Sequence, residues 1–434
     1  MSSVRHRSRA ELPPSPLEFA YPLAVPDATV LGAVLLHEVP DAFALHVLQA
    51  LRLVFAWAAG PQVSGAVFDG TDLHAWEVDV LRAEGIDPAL WAPVSVIAGE
   101  LARPAELEVE RLAHACLALT DWAVGCEAHG TALLFAEAAA VVWPTNARIA
   151  WLTGKLYRQR LQLSQAEMWL RRASRVAVWT GDWELQAQAI NSLGNLKVQK
   201  GDFAGGRELL LSAARLAKRK RLRERQAKVQ HDLFVVSTYA GQFTEAERHA
   251  QQAFSAYGPD HPSLLSLAFD VSHWWIQQGQ FLRAFQVLNA LRGQFPDTDR
   301  QLRVLASTAR AAGALSDAQT FHHAWTEAWK LVDGGAVDHL RAVATLELGL
   351  GALNLSLREY AEYALTTARD AAKARGEADT LTRAESALDN LLRHPSGDRD
   401  LLRRQPARLR SADLAAQLAE SLNARLRGAT SCGG

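Results

Sequence analysis

The chain has 434 residues, 49% of them hydrophobic and 21% charged, with a formal net charge of -1. That balance supports a large buried core and excludes wholesale disorder, while near-neutral charge excludes a global pull toward nucleic acid or membrane. Three cysteines, Cys116, Cys126 and Cys432, are too few and too scattered for a disulfide framework; with no secretory signal visible, they point to a cytoplasmic protein.

Residues 1–27 are rich in Pro, Ser and Arg and read as a loosely ordered leader. Residues 28–110 read as an all-helical cap or small domain. Within them Pro40-Asp41 opens a helix to about Ala59, whose narrow polar stripe of His46, Gln49 and Arg52 marks it as mostly buried. A loop from Gly60 to Gly70 leads to helical patterns at 72–83 and 87–101, the second opened by Asp87-Pro88. The longest apolar run, Ala132 to Trp143, is interrupted by Glu137 and too short to span a bilayer.

Residues 111–394 repeat one unit, clearest between Ala187 and Ala213. Leu193-Gly194 lies inside an apolar-periodic run, Gly201-Asp202-Phe203 follows as a turn, and Gly206, Leu210 and Ala213 form a stripe with offsets of four and three. The stripe recurs as Ala132, Ala136, Ala139; Ala166, Leu170, Ala173; Ala246, Ala250, Ala253; Ala284, Leu288, Leu291; Ala318, His322, Trp325; and Ala361, Leu365, Ala368. The turn glycine returns at Gly241, Gly279 and Gly313, while Glu127, Leu161 and Ser356 stand in its slot elsewhere. Steps of 34 residues separate Ala132 from Ala166 and Ala284 from Ala318, and the steps between are near 40.

These residues resemble the tetratricopeptide repeat (TPR) family. Its Leu-Gly pair stands as Leu193-Gly194 and Leu348-Gly349, its Gly and aromatic as Gly154 and Tyr157, and its helix-ending proline as Pro144. The resemblance implies an all-α, right-handed superhelical solenoid of about seven TPR-like helix pairs with an all-helical N-terminal cap. The longer steps suggest the long-repeat type of bacterial signalling proteins. A last helix at about 379–392 would close the array. Residues 395–434 read as a tail with one amphipathic helix, Leu414, Leu418, Leu422 and Leu426, which docks on the solenoid end or sits free.

No phosphate-cradling, dinucleotide, zincin or nucleophile-elbow motif occurs in the sequence. His114, Cys116, Cys126 and His129 fall on different helical faces and cannot close a tetrahedral zinc site. The expectation is a non-catalytic protein with no cofactor and no metal. The tryptophan pairs Trp179/Trp183 and Trp325/Trp329 read as core. The basic run Arg215, Lys218, Arg219, Lys220, Arg221, Arg223 and Arg225 reads first as a solvated repeat junction and second as a surface for phosphate backbones.

The family resemblance implies that first helices line a concave groove. Projected onto this chain, the inward stripe carries Arg148, Trp151, Lys155, Arg158 and Gln159, then Gln188, Asn191, Asn195 and Gln199. Lys228, His231 and Tyr239 follow, then His273 and Gln277, then Arg300, Arg303 and Arg310, with Asp121 the clear acidic residue. Such a surface offers donors to carboxylates and backbone carbonyls, and the expected partner is a protein or peptide with acidic groups. Asn191, Asn195 and Lys228 partly match the terminal-carboxylate clamp of some TPR co-chaperones. Trp151 and Asp232 stand where the clamp wants Lys or Asn, so the clamp is not carried over. A scaffold or regulator is the first reading, a peptide-sensing receptor controlling a separate transcription factor or enzyme the second, and nucleic-acid binding the last.

Overall fold

The computed structural model describes Leu35 and residues 37–59, 72–335, 337–393 and 412–431. The expected leader, the Gly60–Gly70 loop, the stretch 395–411 and Cys432–Gly434 lie outside the described residues. Two compact units divide the chain, Met1–Arg225 and Gln226–Gly434. Helices α1 (Asp41–Ala58), α2 (Leu73–Arg82), α3 (Pro88–Ala102), α4 (Val109–Gly125) and α5 (His129–Val142) open the first. It continues through α6 (Ala147–Gln159), α7 (Leu163–Thr180), α8 (Trp183–Gln199) and α9 (Phe203–Arg219). The boundary falls inside α10 (Arg223–Tyr239), followed by α11 (Phe243–Tyr257), α12 (Ser263–Gln277), α13 (Phe281–Leu291), α14 (Thr298–Ala314) and α15 (Ala318–Asp333). A 3-10 turn at Asp338–Leu340 leads to α16 (Arg341–Asn354), α17 (Arg358–Arg375), α18 (Ala378–Arg393) and α19 (Ala412–Ser431). No strand occurs among the described residues.

Side-chain caps fix where several helices begin. Asp72, Asp87, Asn146, Asp182 and Asp202 in the first unit, and Asp297 and Asp317 in the second, each accept from a backbone N–H of the first turn. In the first unit one core runs from Phe43 and Val54 of α1 through Ile97 of α3 and Leu119 of α4 to Trp169 of α7. The helices before Val109 therefore share their core with the first helix pairs. Helix α1 is long and apolar enough to cross a membrane, and half of it is buried in the protein. Glu38 also ties the start of the chain to α5, accepting from Gly130 N at 3.0 Å and Thr131 N at 2.6 Å where that helix has unpaired donors.

The helix ends show what the turn-slot substitutions mean. Positive φ recurs at Leu161, Gly181, Gly201, Arg221 and Gly241, every twentieth residue, so a pair of helices of about 17 residues repeats every 40. After each of these residues an amide closes a six-residue bond to the preceding helix, for example Gln162 N to Tyr157 O at 3.0 Å and Asp202 N to Lys197 O at 2.9 Å. Glu127, Leu161, Arg221, Ser316 and Ser356 hold the left-handed conformation with φ of 57 to 62°. The bonding pattern imposes the conformation even where no glycine eases it. Leu161 is 71% exposed, so its side chain contributes little there. Leu161→Gly should stabilise the protein by about 0.5–1 kcal/mol, read as a higher urea midpoint; an unchanged or lower midpoint would deny the strain.

Inside each pair the stripe does what its small residues suggest. A Cβ on Gly154, Gly194 or Gly349 would lie 2.7–2.8 Å from Cγ of Leu170, Leu210 or Leu365 on the second helix. Where the first helix carries a large residue at that register, Phe234 or Thr120, the second carries Ala250 or Ala136, and all four are buried. Volume is exchanged across the pair, so the close-packed spacing is kept.

One copy departs from its expected register. Gly313 is not a turn residue; it lies inside α14, and the left-handed turn is Ser316. The stripe of α15 accordingly runs through Phe321, Ala324 and Ala328, all buried, whereas Ala318 and His322 are exposed. The step from Ala284 thus becomes 37 residues to Phe321, not 34 to Ala318. Gly313 instead lets two first helices touch: its Cβ would stand 2.2 Å from the carbonyl oxygen of Gly351 in α16. The final amphipathic helix, α19, packs on the side of α13 with Leu414, Leu418 and Leu422 fully buried.

Candidate functional site: the polar face of α6 and α8

The two first helices α6 and α8 stand side by side in the first unit, bridged at their polar residues. Trp151 Nε1 donates to Ser192 Oγ at 2.9 Å, and Arg158 Nη1 reaches Gln199 Oε1 at 3.5 Å. Both pairs are 41 residues apart, one repeat plus one. Lys155 lies 5.8 Å from the centre of the Trp151 ring, close enough for a cation–π attraction. Arg148 and Gln159 are exposed, Lys155, Arg158, Gln188 and Asn195 are half-buried, and Asn191 is buried. Ser192 was not among the expected groove residues; the 40-residue period is the signal that sets it opposite Trp151.

The cations of this face differ from their neighbours in how they are used. Arg171 and Lys200 share Glu167 at 2.6 and 2.7 Å, and those two partners hold its carboxyl down at about 2. Arg148, Lys155 and Arg158 have no carboxylate within ion-pair distance among the described residues. Asp121, the acidic residue of the expected stripe, is exposed on α4. Spacings of seven and three residues set the three cations about 10 and 5 Å apart along one helix.

In the second unit the expected groove residues are placed differently. His231 Nε2 pairs with Asp270 Oδ2 at 2.9 Å, and His273 Nε2 lies 2.9 Å from Gln277 Nε2. Arg310 is half-buried 3.9 Å from Glu347, which also takes Arg383 at 3.0 Å, and burial pushes the Arg310 guanidinium down. Glu347, not foreseen beside the stripe, therefore compensates the charge of Arg310, and Asp270, also not foreseen, is hydrogen-bonded to His231. Lys228 and Arg303 are exposed, Tyr239 is 73% exposed, and Arg300 sits in the first turn of α14 over the Phe295 ring and 3.7 Å from Asp297. With Ser316 as the turn, Arg303 and Arg310 take the register positions of Arg148 and Lys155.

The basic run surrounds the end of α9 and the start of α10. Lys218 and Arg219 occupy the last turn of α9, where the carbonyl end of the helix favours cations. Lys220 sits 3.7 Å from the centre of the Trp183 ring, and Arg225 Nη2 pairs with Glu184 Oε1 at 3.3 Å. Arg215, Arg221 and Arg223 are exposed. His114 packs edge-on against Trp143, and burial pushes the Cys116 thiol up to about 12. No group of three or more His, Cys, Asp or Glu among the described residues is arranged to hold a metal.

No family model matches the sequence, and no curated protein matches it. Among solved structures the chain is similar to the apo form of RapI, with 11% identity, 76% of this chain and 98% of that chain covered, and a TM-score of 0.50. It is also similar to a Rap protein complexed with competence and sporulation factor, at 11% identity over 78% of this chain and 99% of that one, TM-score 0.41. A third is a signal transduction ATPase with a tetratricopeptide repeat sensor from Pyrococcus horikoshii, at 14% identity over 89% of this chain and 65% of that one, TM-score 0.44. The fold is of the tetratricopeptide type, built from helical repeats.

Proposed function

We propose that this protein is a non-catalytic protein- or peptide-binding module, a scaffold or regulator, that holds carboxylate-bearing partners on the α6–α8 face. The observation that carries the reading is the set Arg148, Lys155 and Arg158, three cations on one helix with no carboxylate partner among the described residues, although Arg171 and Lys200 close by are paired. Cations left without a carboxylate are the ones an acidic ligand can bind without displacing an internal partner. Trp151, held by Ser192, adds a half-buried aromatic surface in the same row, and the amides of Gln188, Asn195 and Gln199 beside it are of the kind that meets a ligand's main chain, whereas Asn191 is buried. The Rap protein above is described as a complex with competence and sporulation factor; a peptide-sensing regulator is the second reading, supported here by the same face. Nucleic-acid binding through the basic run ranks last, because Lys220 and Arg225 already have partners within the unit.

The test is a fluorescence-anisotropy screen of labelled Asp- and Glu-containing peptides against wild type and Lys155→Ala/Arg158→Ala. Removing a charged hydrogen bond costs about 1.5–3 kcal/mol, so each substitution should weaken the best peptide about tenfold or more. The melting temperature should move by only a few degrees, since both side chains are only half-buried and lose no more than the 3.5 Å contact of Arg158 with Gln199 and the 5.8 Å contact of Lys155 with the Trp151 ring. Equal affinity for the double variant, or no acidic peptide bound by wild type, would sink the reading.

A further inference from the structure

The last described helix is attached to its unit differently from the rest. Neighbouring helices from α10 to α18 follow one another through short connections, whereas residues 394–411 separate α18 from α19. Helix α18 packs on α16 and α17, but α19 packs back on α13, more than a hundred residues upstream. Its apolar row, Leu414, Ala415, Leu418 and Leu422, joins the core that α10 to α14 share, and among those helices it packs chiefly on α13. Polar contacts run beside the row. Gln294 Nε2 donates to the Leu422 carbonyl at 3.0 Å, Arg425 Nη1 to the Asp260 carbonyl at 3.0 Å, and Gln251 Nε2 to Gln417 Oε1 at 3.0 Å.

From this we infer that the side of α11–α13 is a receptor for an amphipathic helix, occupied in cis by α19, and that a partner helix with leucines at every fourth residue can take its place. Three features support exchange. The face receives a row of leucines and, through Gln294, a main-chain carbonyl, which any helix of that pattern presents, while Gln417 and Arg425 add contacts of α19's own side chains. The register of α19 is set by its own contacts, since no short turn fixes it to a preceding helix. Finally, a tethered helix holds its site against free competitors through an effective concentration on the order of millimolar, so occupation in cis hides a site of only moderate intrinsic affinity. The inference concerns the second unit and stands apart from the acidic-ligand reading of α6 and α8.

The probe is a fluorescein-labelled peptide with the sequence of residues 412–431. In the full chain, Leu418→Asp/Leu422→Asp should release α19 while leaving the receptor face intact, and the variant should bind the probe at least about fiftyfold more tightly than wild type. Equal binding by a variant that keeps its helical circular dichroism and melting midpoint would overturn the proposal. If that variant does not fold, a protease site placed in 394–411 and cleaved after folding gives the second measurement. The nicked protein should then exchange α19 for labelled probe while staying helical. Retention of α19 against excess probe, unfolding as it leaves, or a wild-type dimer joined through exchanged α19 helices would each refute the cis-occupied receptor.

Discussion

Gly313→Ala should lower the melting midpoint by roughly 6 to 12 °C, the largest effect expected of a methyl group added at a glycine among the described residues. In α14 and α16 the two backbones approach so closely that a Cβ on Gly313 would stand 2.2 Å from the Gly351 carbonyl oxygen and 2.8 Å from its Cα. The obstacle is backbone, so no rotamer change relieves it, and one helix has to move. Overpacking of this kind costs about 3 kcal/mol at the upper end of the usual range, and each kcal/mol lowers the midpoint by about 2–4 °C in a unit of this size. Gly194→Ala provides the graded control, because its nearest obstacle is the Leu210 side chain at 2.8 Å, which can shift, with the backbone at Gly206 O farther off at 3.1 Å, and it should cost about 1–2 kcal/mol. Gly181→Ala provides the other, because nothing lies within 4 Å and only its φ of 76° is strained. Thermal melts by circular dichroism should rank the three in that order; a Gly313→Ala midpoint within 2 °C of wild type would mean that the helices separate freely.

The same glycine shows where the sequence was readable and where it was not. Stripes of small residues at offsets of four and three mark the paired helices because only small residues permit that approach, and six of the seven stripes lie in register with their turns. Gly313 misled because a glycine is demanded both by a left-handed turn and by a close backbone approach, and the residue alone does not say which. Ser316 carries no turn signal for the complementary reason: the six-residue bond from Asp317 N to Ala312 O imposes left-handed geometry on a serine. For the candidate face, polarity and helical offset were enough to list donors but not to find their partners. Asp270 and Glu347 lie one repeat away from His231 and Arg310, at separations of 39 and 37 residues. Trp151 with Ser192 and Arg225 with Glu184 are 41 apart. Pairing across neighbouring first helices follows the 40-residue period, which is legible in the sequence for Trp151 and Glu184, whereas for Arg310 the register needs Ser316 rather than Gly313 as the turn.

Glu137 gives the expected pH dependence. It interrupts the apolar run of α5, is only 8% exposed, and accepts a hydrogen bond from the Tyr157 hydroxyl of α6. Burial pushes its carboxyl from the ordinary 4.5 up to about 7, and the Tyr157 hydrogen bond offsets part of that rise; burial first and the carboxylate second push the Tyr157 hydroxyl up in turn. A carboxyl whose folded pKa is raised holds its proton more tightly in the native state, so its contribution to stability is greatest below the unfolded value and falls as pH climbs through the folded one. Between about pH 5 and 7 this group alone should lower stability by about 1.4 kcal/mol per pH unit, reaching a penalty of about 3 kcal/mol above pH 8. Glu137→Gln keeps an acceptor for Tyr157 and does not titrate. The stability difference between variant and wild type, from urea melts at pH 5, 6, 7 and 8, should therefore shift in favour of the variant by about 2–3 kcal/mol across the series. Any constant effect of the new amide cancels in that slope, and carboxylates such as Glu167, held near 2, titrate below the window in both proteins. Tyr157→Phe removes the hydrogen bond that favours the carboxylate, so in that background the window should move to higher pH. A pH-independent difference between Glu137→Gln and wild type would mean that Glu137 is ionised at ordinary cost, and that the α5–α6 contact is far more hydrated than its burial indicates.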